Sequence, residues 1–214
     1  AYSGQPSNDF LNYGGQNALI HTKVKQGLDD SNGLSLSKLI PKKKERDRLV
    51  AHAQTHHQLA QSSGQTDYLH VGKENYGNSL SRPTIIMGSI SSKSIPDHTK
   101  GSPPDPLAPN SRMLTIDDRG HGVPRFHAVN PASRDKKENI TAQNAMVNEH
   151  YQRAAEEKFA ETAKNDTGNK YMMMSVIDYS DTTQGRPQGY SLLLVKNGKI
   201  VTGMSVDNPA IKLL

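Results

Sequence analysis

The segment from residue 142 to residue 164 constrains the fold more than any other part of the sequence. It contains neither Gly nor Pro and is rich in Ala, Glu, Gln and Lys, which favour helix. Tyr151, Ala155, Phe159 and Thr162 recur at helical spacing and could form a buried stripe. The segment therefore predicts one helix, against which the rest of the chain must pack.

Short apolar runs on both sides of this helix predict strands. The predicted strands are Thr84–Met87, Arg112–Ile116, Tyr171–Tyr179, Tyr190–Lys196 and Ile200–Met204. Asn197-Gly198 is typical of a hairpin turn between the last two strands. Residues 34–40 and 49–59 are compatible with short helices or short strands. The order of strands, helix and strands indicates an α+β fold.

The composition limits the core and excludes several kinds of site. Only 33% of the 214 residues are hydrophobic, so we expect a compact core with long surface loops. Residues 1–80 are rich in Gly, Ser, Asn, Gln and His, and we expect them to form an irregular extension before a domain of residues 81–214. The chain has no cysteine, which excludes disulfides, a thiolate zinc site and a cysteine nucleophile.

The charge of the chain is compatible with a polyanionic partner. The formal net charge is +5, which suits nucleic acid or an anionic membrane surface, although many basic proteins bind neither. No run reaches the roughly 18 apolar residues of a membrane helix, so we expect no membrane-spanning segment.

One set of polar residues could support hydrolysis of a phosphodiester. His121 follows Asp118, Arg119 and Gly120 in a segment predicted to be a Gly-flanked turn, and a histidine can act as a general base near neutral pH. Mg²⁺ keeps most of its waters, so a single amide oxygen such as that of Asn148 could be its only direct protein ligand.

A carboxylate on the same helix could support that ion. Glu156 follows Asn148 by eight residues, which is about 80° around a helix at roughly 100° per residue. The two side chains are therefore expected on one side of the helix. A ligand and a carboxylate beside it could then face the same ion.

Two separated segments resemble the DNA/RNA non-specific endonuclease family, which includes secreted bacterial nucleases, streptodornases and endonuclease G. Residues 118–121 resemble the family's Asp-Arg-Gly-His signature, and residues 139–143 resemble its Asn-Ile-Thr-Pro-Gln segment, with Ala142 in place of Pro. In the family, the metal-binding Asn follows the first Asn of that segment by nine residues and precedes a Glu by eight. Asn148 and Glu156 stand at these positions, and the resemblance covers roughly residues 83–205.

The resemblance implies a ββα-metal (His-Me finger) fold with a central antiparallel sheet and one hydrated Mg²⁺, for which Mn²⁺ could substitute. It implies His121 as general base, Asn148 as metal ligand and Arg119 at the phosphate. Glu156 would hydrogen-bond metal-bound water, while Asp118 and Asn139 would support the geometry of the turn and the base.

The same resemblance implies what the protein acts on and where. We expect cleavage of DNA, and also of RNA, with 5′-phosphate products and without strong sequence specificity. We expect a secreted nuclease or the toxin domain of a delivered protein, and a toxin would need an immunity or inhibitor protein. Further phosphate contacts could come from four basic residues, namely Arg112, Arg82, Arg153 and Lys158.

Four other interpretations stay open at this point. The domain could be a catalytically silent nucleic-acid-binding module, or a related nuclease with direct histidine coordination and more carboxylates. His127 is close to His121, but a structural role is favoured over a proton shuttle. His52, His56 and His57 could bind a metal, but no third ligand is evident, and solvated histidines are favoured.

Overall fold

The computed structural model describes residues 24–25, 36–77, 79–92, 103–107, 114–179 and 185–210. Six of its strands form one antiparallel sheet in the order β1-β8-β7-β6-β3-β2. These strands are β1 (Val24–Lys25), β2 (Leu69–Tyr76), β3 (Leu80–Ile90), β6 (Tyr171–Asp178), β7 (Gly189–Lys196) and β8 (Lys199–Asp207). Between β3 and β6, strands β4 (Asp117–His121) and β5 (Ile140–Asn144) pair as an antiparallel ribbon.

One helix layer covers the first face of the sheet. Helices α1 (Leu36–Leu39) and α2 (Lys43–Ser63) show that the two ambiguous N-terminal runs are helical over residues 36–39 and 49–59. Helix α2 ends at Gly64, whose positive φ of 65° closes the helix in the left-handed conformation. Buried side chains from the helices and the sheet share this core: Leu39, Ile40, Leu49, Ala53, Ile85, Met87, Met172, Met174, Leu193 and Val195.

A second helix and the ribbon cover the opposite face. The chain leaves β5, passes through a wide π-helical stretch at Val147–Gln152 and continues as α3 (Arg153–Lys164). Successive residues of a strand point to opposite faces of the sheet. The buried residues of this second helix therefore pack on strand side chains that alternate with those beneath α2. This core contains, among others, Ile86, Val123, Val147, Tyr151, Phe159, Met173, Leu192 and Leu194. The arrangement confirms the α+β expectation, with a central antiparallel sheet and a ββα unit.

Two expectations about local structure are wrong. Residues 117–121 form strand β4 rather than a turn, and residues 142–144 belong to strand β5 rather than to the helix. The two segments satisfy each other's backbone groups, with His121 opposite Ile140 and Asp117 opposite Asn144. This long-range pairing overrides the helix-favouring composition. The strand expected at residues 112–116 has two residues outside the described ranges, and residues 115 and 116 form a turn.

The predicted hairpin is confirmed. Asn197 and Gly198 both have positive φ values, of 50° and 83°, and they join β7 to β8. The boundary expected at residue 80 falls beside another hairpin, in which β2 pairs with β3. The described part of residues 36–77 therefore shares its sheet and core with the residues that follow. None of the described helices is long and apolar enough to cross a membrane.

Candidate functional site

The ribbon places His121 at the end of β4, where its side chain is 15% exposed. The ring Nε2 lies 2.8 Å from Oδ1 of Asp135. An ionised carboxylate can only accept a hydrogen bond, so Nε2 carries the proton and donates. In the neutral ring, Nδ1 therefore holds the free electron pair and is the basic nitrogen.

The surroundings of His121 keep the imidazole available as a base. Burial lowers the pKa of His121 below its ordinary value, and the positive charges of Arg125 and Arg134 act in the same direction. The hydrogen bond and the charge of Asp135 oppose this shift. The ring is thus predominantly neutral at neutral pH while Asp135 can stabilise the imidazolium that forms when it accepts a proton.

Asn139 fixes the loop that carries these groups. It is fully buried, its Oδ1 accepts the Val123 amide at 3.0 Å, and its Nδ2 donates to the carbonyl oxygens of Val123 and Arg134. Asp135 follows Arg134 directly, and Val123 lies two residues beyond His121. The Asn139 amide therefore ties together the two backbone segments that bear the histidine and its carboxylate partner.

An oxygen-rich pair lies where the ribbon meets the helix. Asn148 Nδ2 donates to Asp118 Oδ2 at 3.1 Å, and both side chains are half-buried. Among the described residues, Asn148 Oδ1 has no hydrogen-bond donor. A hard cation such as Mg²⁺ prefers amide and carboxylate oxygens, so this donor set fits that class of ion.

Gln152 connects this pair to the histidine, and the sequence analysis missed it. Its Nε2 donates to the His121 carbonyl oxygen at 2.7 Å, and its Oε1 accepts from Gln143 Nε2 at 2.6 Å. Gln152 follows Asn148 by four residues, a spacing that could have identified it as a neighbour on the same helix face. The side chain holds the helix against both strands of the ribbon.

Glu156 lies one turn further along, behind Gln152. Its side chain is buried, and its Oε2 accepts from Gln152 Nε2 at 3.3 Å. Burial raises the pKa of Glu156 to about 8, with the hydrogen bond from Gln152 as a weaker opposing influence. Its contact with a metal-bound water stays a prediction.

Of the basic residues expected at the phosphate, Arg119 lies nearest to His121 in sequence and on the same face of β4. Its guanidinium is exposed and pairs with the exposed Asp105, at 2.8 Å between Nη2 and Oδ1. An exposed ion pair is weak and can exchange for another anion. Arg119 is therefore positioned to change partner when a polyanion approaches.

The other candidates lie elsewhere or have other partners. Arg82 is buried, pairs with Glu74 at 2.7 Å and lies over the Tyr179 ring at 4.0 Å, so the structure gives it packing contacts rather than a free guanidinium. Arg153 pairs with Glu157 on the exposed side of α3, and Lys158 is exposed on the same helix. Arg112 lies outside the described residues.

Two further side chains lie near the site, one of which the sequence analysis did not select. Nε of Arg125, four residues after His121, lies 3.6 Å from Asp135 Oδ2 and belongs to a cation that the sequence analysis did not select.

His127 is fully buried, and its Nε2 lies 2.8 Å from the Glu156 backbone oxygen, to which it can only donate. Burial lowers the pKa of His127 to about 3, which agrees with a structural role.

Comparisons with known proteins give only distant likenesses. No family model and no curated protein sequence matches the chain. Solved structures that align with it include NucA from Streptococcus agalactiae with a magnesium ion bound, at 18% identity and a TM-score of 0.48, over 68% of this chain and 72% of that one. The Sda1 nuclease with a bound zinc ion aligns at 13% identity and a TM-score of 0.45, over 66% and 74% of the two chains. An extracellular nuclease aligns at 15% and 0.46, over 69% and 90%.

Proposed function

We propose that this chain is an endonuclease that hydrolyses phosphodiester bonds in DNA, and also in RNA, with the help of a divalent metal ion. The observation that carries the proposal is the His121–Asp135 pair, which leaves Nδ1 of a neutral imidazole as a base. Gln152 holds the same strand against the helix that bears Asn148. The resemblance to the DNA/RNA non-specific endonuclease family supports the same activity.

The described residues fit a hard cation beside this base. The oxygens of Asn148 and Asp118 would hold it, since they form an adjacent amide and carboxylate pair. When bound, Mg²⁺ or Mn²⁺ neutralises charge that develops on the phosphate and the leaving oxygen. Glu156, which lies next to Gln152, would form a hydrogen bond with a water molecule bound to the ion.

The side chains of this chain then perform the proton transfer and position the substrate. His121 Nδ1 accepts a proton from the water that attacks phosphorus, and Asp135 stabilises the resulting imidazolium through Nε2. The bond from phosphorus to the 3′ oxygen breaks, the 3′ oxygen leaves as a hydroxyl once it has taken a proton from solvent, and the phosphate stays on the 5′ oxygen of the next nucleotide. Arg119 and Arg125 would orient the phosphate, and recognition through the backbone phosphates would give weak sequence specificity.

The biological setting is part of the proposal. We propose a secreted nuclease or the toxin domain of a larger delivered protein, in the second case with an immunity protein as partner. Arg82, Arg112, Arg153 and Lys158 stay predictions as phosphate contacts, and so does the division into residues 1–80 and 81–214.

The decisive experiment is degradation of plasmid DNA and of RNA at neutral pH with Mg²⁺, with EDTA, and by two histidine variants. His121→Ala should lower turnover by roughly 10² to 10⁴, the usual contribution of a general base. His57→Ala, which changes a histidine on α2, should cleave like the wild type. Folded wild-type protein that binds DNA but does not cleave it with Mg²⁺ or Mn²⁺ would instead indicate a silent binding module.

A further inference from the structure

Three histidines converge on the face of the sheet opposite to His121. His52 and His56 are one turn apart on α2, and His70 lies on the edge strand β2. One ring nitrogen from each lies within 4.8 Å of the others. The sequence analysis favoured solvated histidines here, which is wrong for His56, because it is only 7% exposed.

The fold itself brings this triad together. Residues four apart on a helix share one face, so His52 and His56 project side by side. His70 pairs with Met87 across the β2–β3 ladder, and Met87 belongs to the core beneath α2. Directly opposed residues of an antiparallel pair share one face, so His70 also points toward α2.

The hydrogen bonds of the triad leave ring nitrogens without partners. Tyr68 OH lies 2.7 Å from Nδ1 of His56, which leaves the Nε2 of that ring for another contact. Nε2 of His52 is shielded from solvent and has no hydrogen-bond partner in the described structure. The His56 and His70 rings stack with their centroids 3.8 Å apart. A buried nitrogen without a partner is costly, and a cation at the centre would supply one.

The charge state of the rings suits a cation. Burial lowers the pKa of His52 and of His56 to about 4, and it lowers that of His70 as well. At neutral pH the three imidazoles are therefore neutral, and each has a lone pair to offer. Metal coordination requires this neutral form.

We propose that His52, His56 and His70 bind one Zn²⁺ ion that fastens α2 to the edge strand β2. Imidazole nitrogens favour Zn²⁺ over Mg²⁺, so this site differs in chemistry from the oxygen pair at Asn148. Three nitrogens at about 2.0–2.1 Å from a tetrahedral ion are about 3.4 Å apart, so binding would draw together ring nitrogens that lie within 4.8 Å of one another and would turn the stacked His56 and His70 rings. The fourth position is left for a water or an added ligand.

The ion would act on stability rather than on catalysis. It would join two elements separated by the turn at residues 64–68, and Tyr68 would orient the His56 ring as an outer hydrogen-bond partner. Because only the folded chain brings the three rings together, Zn²⁺ should raise the melting temperature as its concentration rises above Kd.

The test is titration of the EDTA-stripped full chain with Zn²⁺ by calorimetry, and with Co²⁺ by visible absorption. We expect one saturable site and the absorption bands of tetrahedral Co²⁺. His70→Asn and His52→Asn should each abolish both, and Tyr68→Phe should weaken binding by about 10- to 100-fold. Circular dichroism establishes that each variant is folded.

Two controls separate this site from the catalytic one. His57→Asn changes the histidine next to His56 but outside the triad, and it should bind Zn²⁺ like the wild type. Asn148→Ala should also keep the Co²⁺ bands, whatever its effect on nucleic-acid cleavage. Absence of saturable Zn²⁺ binding to the wild type, or unchanged binding by folded His70→Asn, would overturn the proposal.

Discussion

At the scale of single residues, the role of His121 depends on which nitrogen carries its proton. The Asp135 carboxylate holds the proton on Nε2. A neighbour that could also donate would permit the other tautomer, in which Nδ1 is protonated and cannot act as a base. Asp135 is therefore a positioning residue for the proposed reaction, and its effect is separable from that of His121.

Asp135→Asn should lower kcat by about 10²- to 10⁴-fold, because the amide can donate to Nε2 and so permits the tautomer in which Nδ1 is protonated and cannot act as a base. It should also move the acidic limb of the pH–rate profile to lower pH, because Asp135 raises the pKa of His121. The measurement is plasmid cleavage across a range of pH. The control is Asp47→Asn, which removes an exposed partner of Lys43. A lower rate with an unmoved limb would contradict the influence of Asp135 on the pKa of His121.

The buried Glu156 predicts an unusual pH dependence of stability. Its pKa is about 8 in the folded protein against an ordinary value of 4.5. Between these values the folded chain binds more protons than the unfolded chain, so the free energy of unfolding falls as the pH rises. The contribution of protonated Glu156 to the free energy of unfolding is complete below pH 4.5 and is lost as the pH rises through 8.

Glu156→Gln removes this titration and should be more stable than the wild type above pH 8, by about 1.4 kcal/mol per unit of pKa shift at most. Near pH 4.5 ionisation at position 156 should make no difference between the free energies of unfolding of the two proteins. Urea unfolding in EDTA measures the difference. Glu157→Gln, at the neighbouring half-buried position, is the matched control. Parallel pH curves for wild type and Glu156→Gln would assign the effect to another group.

At the scale of elements, periodicity and turn chemistry were sufficient for some predictions and not for others. The helix after residue 145 and the Asn197-Gly198 hairpin follow from local preferences. Strand β4 does not, because Asp117–His121 has few apolar residues and forms a strand only by pairing with β5. Asp135 joins the site through a contact that no local pattern contains, whereas the four-residue spacing from Asn148 could have indicated Gln152.

The docking of the ribbon on the helix depends on Gly120. A Cβ at this position would lie 2.3 Å from Oε1 and 2.9 Å from Cβ of Gln143. Gln143 must pass over the glycine to reach Gln152, which in turn holds the His121 carbonyl. The glycine thus permits the close approach that links both strands to the helix.

Gly120→Ala should destabilise the protein by about 1–3 kcal/mol, the usual cost of overpacking a closed site, and should lower cleavage as well. Thermal unfolding and plasmid cleavage measure the two effects. Gly168→Ala is the control, since a Cβ there meets nothing within 4 Å. Equal melting temperatures and rates for the two variants would show that the ribbon can shift without affecting His121.

At the scale of the whole molecule, one sheet has two covered faces for which we propose different roles. The ββα side carries His121 and Asn148, while the α2 side carries the histidine triad and no residue of the proposed catalytic set. The expected boundary at residue 80 rests on composition alone, and composition cannot show that α2 covers apolar residues of β3, β6 and β7. This tertiary contact makes residues 36–77 part of the core on which the proposed catalytic face rests.

A pair of truncations tests this dependence. A chain that starts at residue 36 keeps the described helices and should unfold cooperatively and cleave DNA. A chain that starts at residue 69 keeps β2 but exposes Met87, Met172, Met174, Leu193 and Val195, which α2 otherwise covers. Such an apolar face should cause aggregation or binding of a hydrophobic dye. Solubility, urea unfolding and plasmid cleavage measure the contrast. A soluble, cooperative and active shorter chain would show that the catalytic face folds without the helix layer, as the boundary at residue 80 predicts.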